Sequence, residues 1–198
     1  KRNFIIMKRL TIVIAAAIFM CSAAFAQSPK FAHVNFSELV QLMPEMDSAR
    51  VQLETTQMEI QETYQSMINE FQTKYAQFNE KQATWTASVK ASKERELSEI
   101  QTRIQEFEQT SQQELQQVQN ALMAPIYQKA QDTVQKLAKT QGFIFVFDAS
   151  QLLYIDEAQS ANITQDARKA LGIPDDRTLE SLQAELQAKA QAAAGAQQ

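Results

Sequence analysis

The sequence predicts a mostly helical α+β protein, with a long antiparallel hairpin of helices rising from a small β-body. Three observations lead there. Gly and Pro are scarce, three and four in 198 residues, which argues against an all-β sandwich or a glycine-loop nucleotide enzyme. Between Pro44 and Gly142 the lone helix breaker is Pro125, and apolar residues recur through that stretch mostly three or four positions apart. Strand-like runs, Phe31–Phe36 and Phe143–Phe147, flank it on both sides.

Taken in chain order, the first 26 residues read as an address label. Lys8-Arg9 precedes an uncharged run from Leu10 to Met20, and Ala24-Phe25-Ala26 has the small-x-small form of a signal peptidase site. The uncharged run is short of the ~20 residues that a membrane span needs. A start at Met7 would open a more ordinary signal. Phe19 and Met20 are too bulky to precede a lipid-modified Cys21, so a lipoprotein is not expected. Removal after Ala26 would take away the one cysteine, leaving no disulfide, thiol nucleophile or thiolate metal site.

Charge changes along the chain. Of 19 Lys and Arg against 23 Asp and Glu, four bases (Lys1, Arg2, Lys8, Arg9) and no acids precede residue 27. From residue 27 onward 15 bases face 23 acids, a net −8, so general binding of nucleic acid through a basic surface is not expected.

The arm, residues 43–141, carries two apolar series. One runs Leu53, Ile60, Tyr64, Met67, Phe71, Tyr75, Phe78, Trp85; the other runs Leu97, Ile100, Ile104, Phe107, then Leu115, Val118, Leu122, Ile126, Ala130, Val134, Leu137. These are coiled-coil-like stripes without a strict heptad, and Gln, Glu, Lys, Thr and Ser fill the solvated face. The stripe fades over Thr84–Ser92, where Ser, Thr and Val weaken a helix. A reversal there makes two arms of ~40 residues, each on the order of 60 Å long. The hairpin is preferred to a continuous rod because the segments flanking it need each other. Pro125 removes a backbone donor and predicts a kink near the point where the second arm leaves the core.

The flanks, residues 27–42 and 142–174, supply the β-body. Phe31–Phe36 is a strand candidate, followed by Ser37 as the expected cap of a short helix bearing Leu39, Val40 and Leu42. Gly142 ends the second arm, and Phe143–Phe147 and Gln151–Ile155 read as two strands around the turn Asp148-Ala149-Ser150. Phe143, Phe145 and Phe147 share one face, with Ile144 and Val146 on the other, so the strand expects cover on both sides. A short helix, Thr164–Leu171, follows. Three short strands and two small helices make a marginal core, for which oligomerisation is the expected remedy. Residues 175–198 form a Gln/Ala-rich tail in which Leu179, Leu182 and Leu186 permit a brief helix before a disordered end, and Asp175-Asp176 reads as its cap.

Catalytic constellations are not expected. His33, the single histidine, reads as a packed or surface residue, with no second His or retained Cys to complete a metal site. No His/Ser or His/Cys arrangement supports nucleophilic catalysis, and the glycines are too scattered to cradle a phosphate. No cofactor is expected. Met43, Met46, Met58, Met67 and Met123 suggest adaptable surfaces, although a methionine on a helical stripe is more often core.

Two stretches carry a family resemblance. Phe31-Ala32-His33-Val34-Asn35-Phe36-Ser37-Glu38-Leu39 and Gly142-Phe143-Ile144-Phe145-Val146-Phe147-Asp148-Ala149-Ser150-Gln151-Leu152-Leu153-Tyr154, followed by Asp156, Ile163-Thr164 and Lys169-Ala170-Leu171, resemble the Skp/OmpH family of periplasmic chaperones over residues 30–172. The resemblance implies a homotrimer in which strands of three chains build the body. Phe31, Val34, Phe36, Phe143, Phe145, Phe147, Leu153 and Ile155 are the residues that would form it. It implies an ATP-independent holdase, not an enzyme, that shelters unfolded outer-membrane β-barrel proteins in a cavity between three arms. Client contacts at the arm tip would fall to Lys81, Trp85, Lys90, Lys93 and Arg95, although Trp85 reads first as a staple between the arms and the bases as a solvated tip. The best-known member of that family is basic, with positive arms, whereas here residues 74–103 hold six bases and four acids. Steering by the tip is correspondingly weak, and lipopolysaccharide or membrane contact is doubtful. A rival reading is a periplasmic coiled-coil spacer without clients.

Overall fold

The computed structural model describes residues 29–195, and the predicted signal segment lies outside the described residues. β1 (Phe31–Val34) leads into α1 (Phe36–Leu42), then α2 (Pro44–Lys81) and α3 (Ala87–Gln141); β2 (Phe145–Asp148), a 3-10 turn (Ala149–Gln151), β3 (Ser160–Asn162), α4 (Thr164–Ala170) and α5 (Leu179–Gly195) complete the order.

Each helix boundary has a local cause. The cap of α1 is Asn35, not Ser37: its side chain accepts from the Glu38 backbone N–H at 3.1 Å, and its amide donates to the Glu38 carboxylate at 3.1 Å. Ser37 lies within the helix and its hydroxyl accepts from Gln41 instead. Pro44 opens α2, where a missing N–H costs nothing, and Glu45 and Asp47 in the first turn suit the positive end of the helix dipole. Residues 82–86 reverse the chain, overlapping the predicted break only at Thr84–Thr86, while Ala87–Ser92 is already helical; Thr86 caps α3 by accepting from Val89 N–H. α3 is a single 55-residue helix through Pro125, ending at Gly142 with φ 74°, a left-handed conformation that favours glycine.

The sheet differs from the predicted β-hairpin. Its order is β2-β1-β3, and both neighbours run parallel to β1. Parallel pairing needs a long crossover, and here the whole hairpin of helices is the crossover between β1 and β2. α3 returns the chain to the start of β1, where Ile144 N–H donates to Lys30 C=O at 2.9 Å, so β2 sets off in the same direction as its neighbour. Gln151–Ile155 is not a strand. Asp148 stops β2 by accepting from Ser150 N–H at 3.0 Å and Phe36 N–H at 3.4 Å, folding the chain toward α1. The open edge of β1 is taken by Ser160–Asn162.

One core joins the body to the arm roots. It gathers Ala32 and Val34 of β1, Leu39, Val40 and Leu42 of α1, Met43, and Met46 and Ala49 of α2. Ile126, Ala130 and Val134 of α3 join it, with Ile163, Ala167 and Leu171 around α4. Fully buried leucines such as Leu39 and Leu42 each contribute roughly 2–3 kcal/mol. Met43 and Met46 fill the junction as core residues. His33 is buried, and its Nδ1 shares a 2.9 Å hydrogen bond with Ser160 Oγ. The tail is more ordered than predicted. α5 continues to Gly195, and Ile173 and Leu182 join the core. Its cap is Thr178, in reciprocal hydrogen bonds with Ser181 at 2.9 and 3.1 Å, rather than Asp175 or Asp176.

Candidate functional site

Two surfaces stand out, the seam of the arm and an apolar face on the body. Among the described residues of the α2–α3 seam, only Ile100, Ile104 and Ser111 are buried beyond the root. Leu53, Ile60, Tyr64, Met67, Phe71, Phe78, Phe107, Leu115 and Val118 stay half-buried, and Tyr75 is exposed. Two helices side by side cannot enclose their own apolar stripe, so much of it stays accessible. The eight-residue jump from Phe107 to Leu115 also has a consequence in three dimensions. Ser111 occupies the intervening seam position, its hydroxyl donating back to Phe107 C=O. Beside this small residue lies a 580 Å³ groove walled by Ile60, Tyr64, Phe107 and Leu115, with Gln57, Gln61 and Gln112 at its rim. The adjacent Glu108 carboxylate pushes the Tyr64 phenol above its ordinary value, by hydrogen bonding first and by charge second.

At the tip, the Trp85 ring, in the turn, meets Phe78 of α2 edge-on with centroids 5.8 Å apart, a contact with the first arm only. Lys81, Trp85 and Lys93 share a 260 Å³ hollow with Lys74, Phe78, Glu96 and Leu97, whereas Lys90 and Arg95 do not line it. Glu96 holds the hollow together, pairing with Lys74 across the hairpin and with Lys93 at 2.8 Å. Hydrogen bonds from Lys74 and then Lys93 bring the Glu96 carboxyl from 4.5 down to about 2. A further cross-arm pair, Arg103–Glu70, lies closer to the body at 3.3 Å. Sequence reading misses these pairs, since residues 22 apart such as Lys74 and Glu96 become neighbours only once the turn is placed.

The depressed Glu96 pKa sets a pH dependence. Its folded value lies below its unfolded one, so its contribution is complete above pH 4.5 and is lost as the pH falls toward about 2. Trp85, the single tryptophan, lines the same hollow and reports on the tip. Thermal melting followed by its fluorescence should show Glu96→Gln melting below wild type at pH 7 and converging with it by about pH 2. A gap that stayed constant across that range would show that the ion cluster does not hold the tip.

On the body, the predicted assembly residues separate into two groups. Val34 is 2% exposed and belongs to the protomer's own core; Phe36 and Phe143 are partly buried against it. Val34 therefore offers a second chain nothing. Phe31, Phe145 and Phe147 form an aromatic ladder on one face of the sheet, with Phe31–Phe145 and Phe145–Phe147 centroids at 6.3 and 6.1 Å. Phe145 is 57% and Phe147 42% exposed, while Val146 turns inward to the core, as the two-residue alternation predicts within β2. Before the strand begins the alternation fails, since Phe143 packs against the core and Ile144 is 58% exposed. Beyond the ladder, Leu153 and Tyr154 stand fully out in solvent and Ile155 is half-buried. A run of large apolar groups this exposed marks a contact surface.

A family model described as outer membrane protein (OmpH-like) matches residues 30–171. The chain belongs to this family. The OmpH-like chain is 29% identical over 156 residues to the chaperone protein Skp of Pectobacterium atrosepticum, covering 77% of this chain and 91% of that one. It is 28% identical over 167 residues to the chaperone protein Skp of Yersinia enterocolitica, covering 82% and 98%. Its fold is that of a crystal structure from Caulobacter crescentus described as a putative OmpH-like outer membrane chaperone. That match has a TM-score of 0.65 at 14% identity, over 73% of this chain and 84% of the other. The family match ends at Leu171, so α5 and the segment leading to it lie outside the matched residues.

Proposed function

We propose that this chain is an ATP-independent periplasmic holdase, exported by its N-terminal signal, which assembles as a homotrimer and shelters unfolded outer-membrane β-barrel proteins between its arms. The observation that carries the reading is the half-exposed apolar seam, continuous along two helices of 38 and 55 residues. An unfolded barrel strand presents apolar side chains at alternate positions, which aggregate in water. The seam and the groove at Ser111 offer such side chains many small contacts, and the glutamines at the rim can both donate to and accept from an extended backbone. Contacts of this kind hold a client without trapping it. Release needs no nucleotide, because insertion into a membrane is downhill. The body supplies the second half of the argument: an apolar ladder left open in one chain is what three chains could cover together. The resulting particle acts by binding rather than by catalysis.

Native mass spectrometry of the exported protein tests this, alone and after dilution of a urea-unfolded outer-membrane barrel protein into it. Three copies alone, and three copies plus one client after mixing, are expected. A monomer or dimer that ignores the client would overturn the reading and leave a coiled-coil spacer in its place.

A further inference from the structure

Beyond Leu171 the chain turns back on itself instead of trailing away. Gly172 takes φ 72°, and Ile173 N–H donates to Arg168 C=O at 3.0 Å, closing the end of α4. Arg168, 3% exposed, then organises the segment after the turn. One arm of its guanidinium donates to Glu38 of α1 at 2.9 Å; the other donates to the carbonyls of Pro174, at 2.9 Å, and Arg177. Arg177 in turn reaches Asp47, in the first turn of α2, at 2.5 Å. Five residues later Leu182, 5% exposed, enters the core beside α1. After that point no described side chain of α5 is buried, and Leu186 is 42% exposed. The burial and the long-range bonds are therefore concentrated between residues 172 and 182, outside the family-matched region.

We infer that residues 172–182 are a strap that ties α4 of the body to the root of α2 and so fixes the angle at which the arm leaves the body. The two points it joins are the ones whose separation would change if the arm pivoted about Met43. A chain lacking the strap would lose Ile173 and Leu182 from the core and leave Asp47 paired only with Arg50 on its own helix. The root of α2 would keep the Arg50 bond to Gln41 C=O at 2.9 Å and the Glu45–Lys129 pair to α3, but not the tie that reaches α4.

Hydrogen exchange on the full exported protein tests this without any client, so failure of the holdase reading would not affect it. Arg177→Gln removes the Asp47 contact while keeping a polar side chain, and adding Leu182→Ala removes the anchor. In the double variant, amides of residues 48–52 should exchange roughly tenfold faster, while those of β1 and of residues 100–104 keep their rates. Trp85, at the arm tip, should lose fluorescence anisotropy faster. If the double variant fails to fold, Arg177→Gln alone must raise exchange at residues 48–52 about threefold. Unchanged exchange at the root, acceleration spread evenly through the body, or unchanged Trp85 anisotropy would overturn the strap.

Discussion

Phe145→Asp is expected to yield a folded chain that no longer assembles. Phe145 is 57% exposed in the isolated protomer, between Phe31 and Phe147, so an aspartate there finds water and the fold tolerates it. In an assembly that covers the ladder, the same aspartate would lose about 2 kcal/mol of apolar contact per protomer. It would also bury an unpaired carboxylate at a cost of several more. Circular dichroism should match wild type while sedimentation gives monomers. Because fold and assembly are read separately, the outcome is clear either way: a variant that stayed trimeric would put the interface somewhere other than the ladder.

Arg168→Ala should produce the largest loss of stability inside the protomer, about 3 kcal/mol. The side chain is 4% exposed and its guanidinium serves three acceptors: Glu38 and the carbonyls of Pro174 and Arg177. Removing it takes the guanidinium donor from the Arg177 carbonyl and the charge partner from Glu38. Pro174 C=O keeps the Arg177 N–H at 3.2 Å, and Glu38 keeps the Asn35 amide at 3.1 Å and, 25% exposed, can regain some water. Arg168→Lys keeps the charge but not the planar fork that reaches acceptors in different directions, so it should recover only about half of the loss. Urea unfolding at one fixed protein concentration, followed by circular dichroism, checks both. A loss under about 1 kcal/mol for the alanine variant would show that packing, not this charge network, joins α1, α4 and the strap.

The two predictions draw on different kinds of legibility. Phe145 can be found by reading the chain: Phe143-Ile144-Phe145-Val146-Phe147 is apolar on both faces, and a strand of that kind in so small a body needs cover from outside. Arg168 cannot. In sequence it is one charged residue in a seven-residue helix, and nothing nearby shows that its partner Glu38 lies 130 positions earlier. The tail shows the same limit. Leu179, Leu182 and Leu186 permit a helix, but which of the three is buried depends on where α1 lies, and Leu182 is the one that meets it.

Local spacing was enough for the parts of this protein that repeat within a few residues. The two stripes of the arm, the reversal near Thr84–Ser92, the glycine stop at Gly142 and the alternation across β2 all arise from spacings of two, three or four positions or from one special residue, and each appears in the structure. Even the gap at Ser111 is present in the spacing of the apolar residues. Long-range packing settled the parallel sheet, the replacement of Gln151–Ile155 by Ser160–Asn162 as the third strand, the Glu96 cluster and the strap. The reason is the same in each case. A strand needs a partner edge, and a charge needs a partner charge. Here the decisive charge partners lie 22 and 130 residues away, brought together by a hairpin of helices that local spacing can predict but cannot aim.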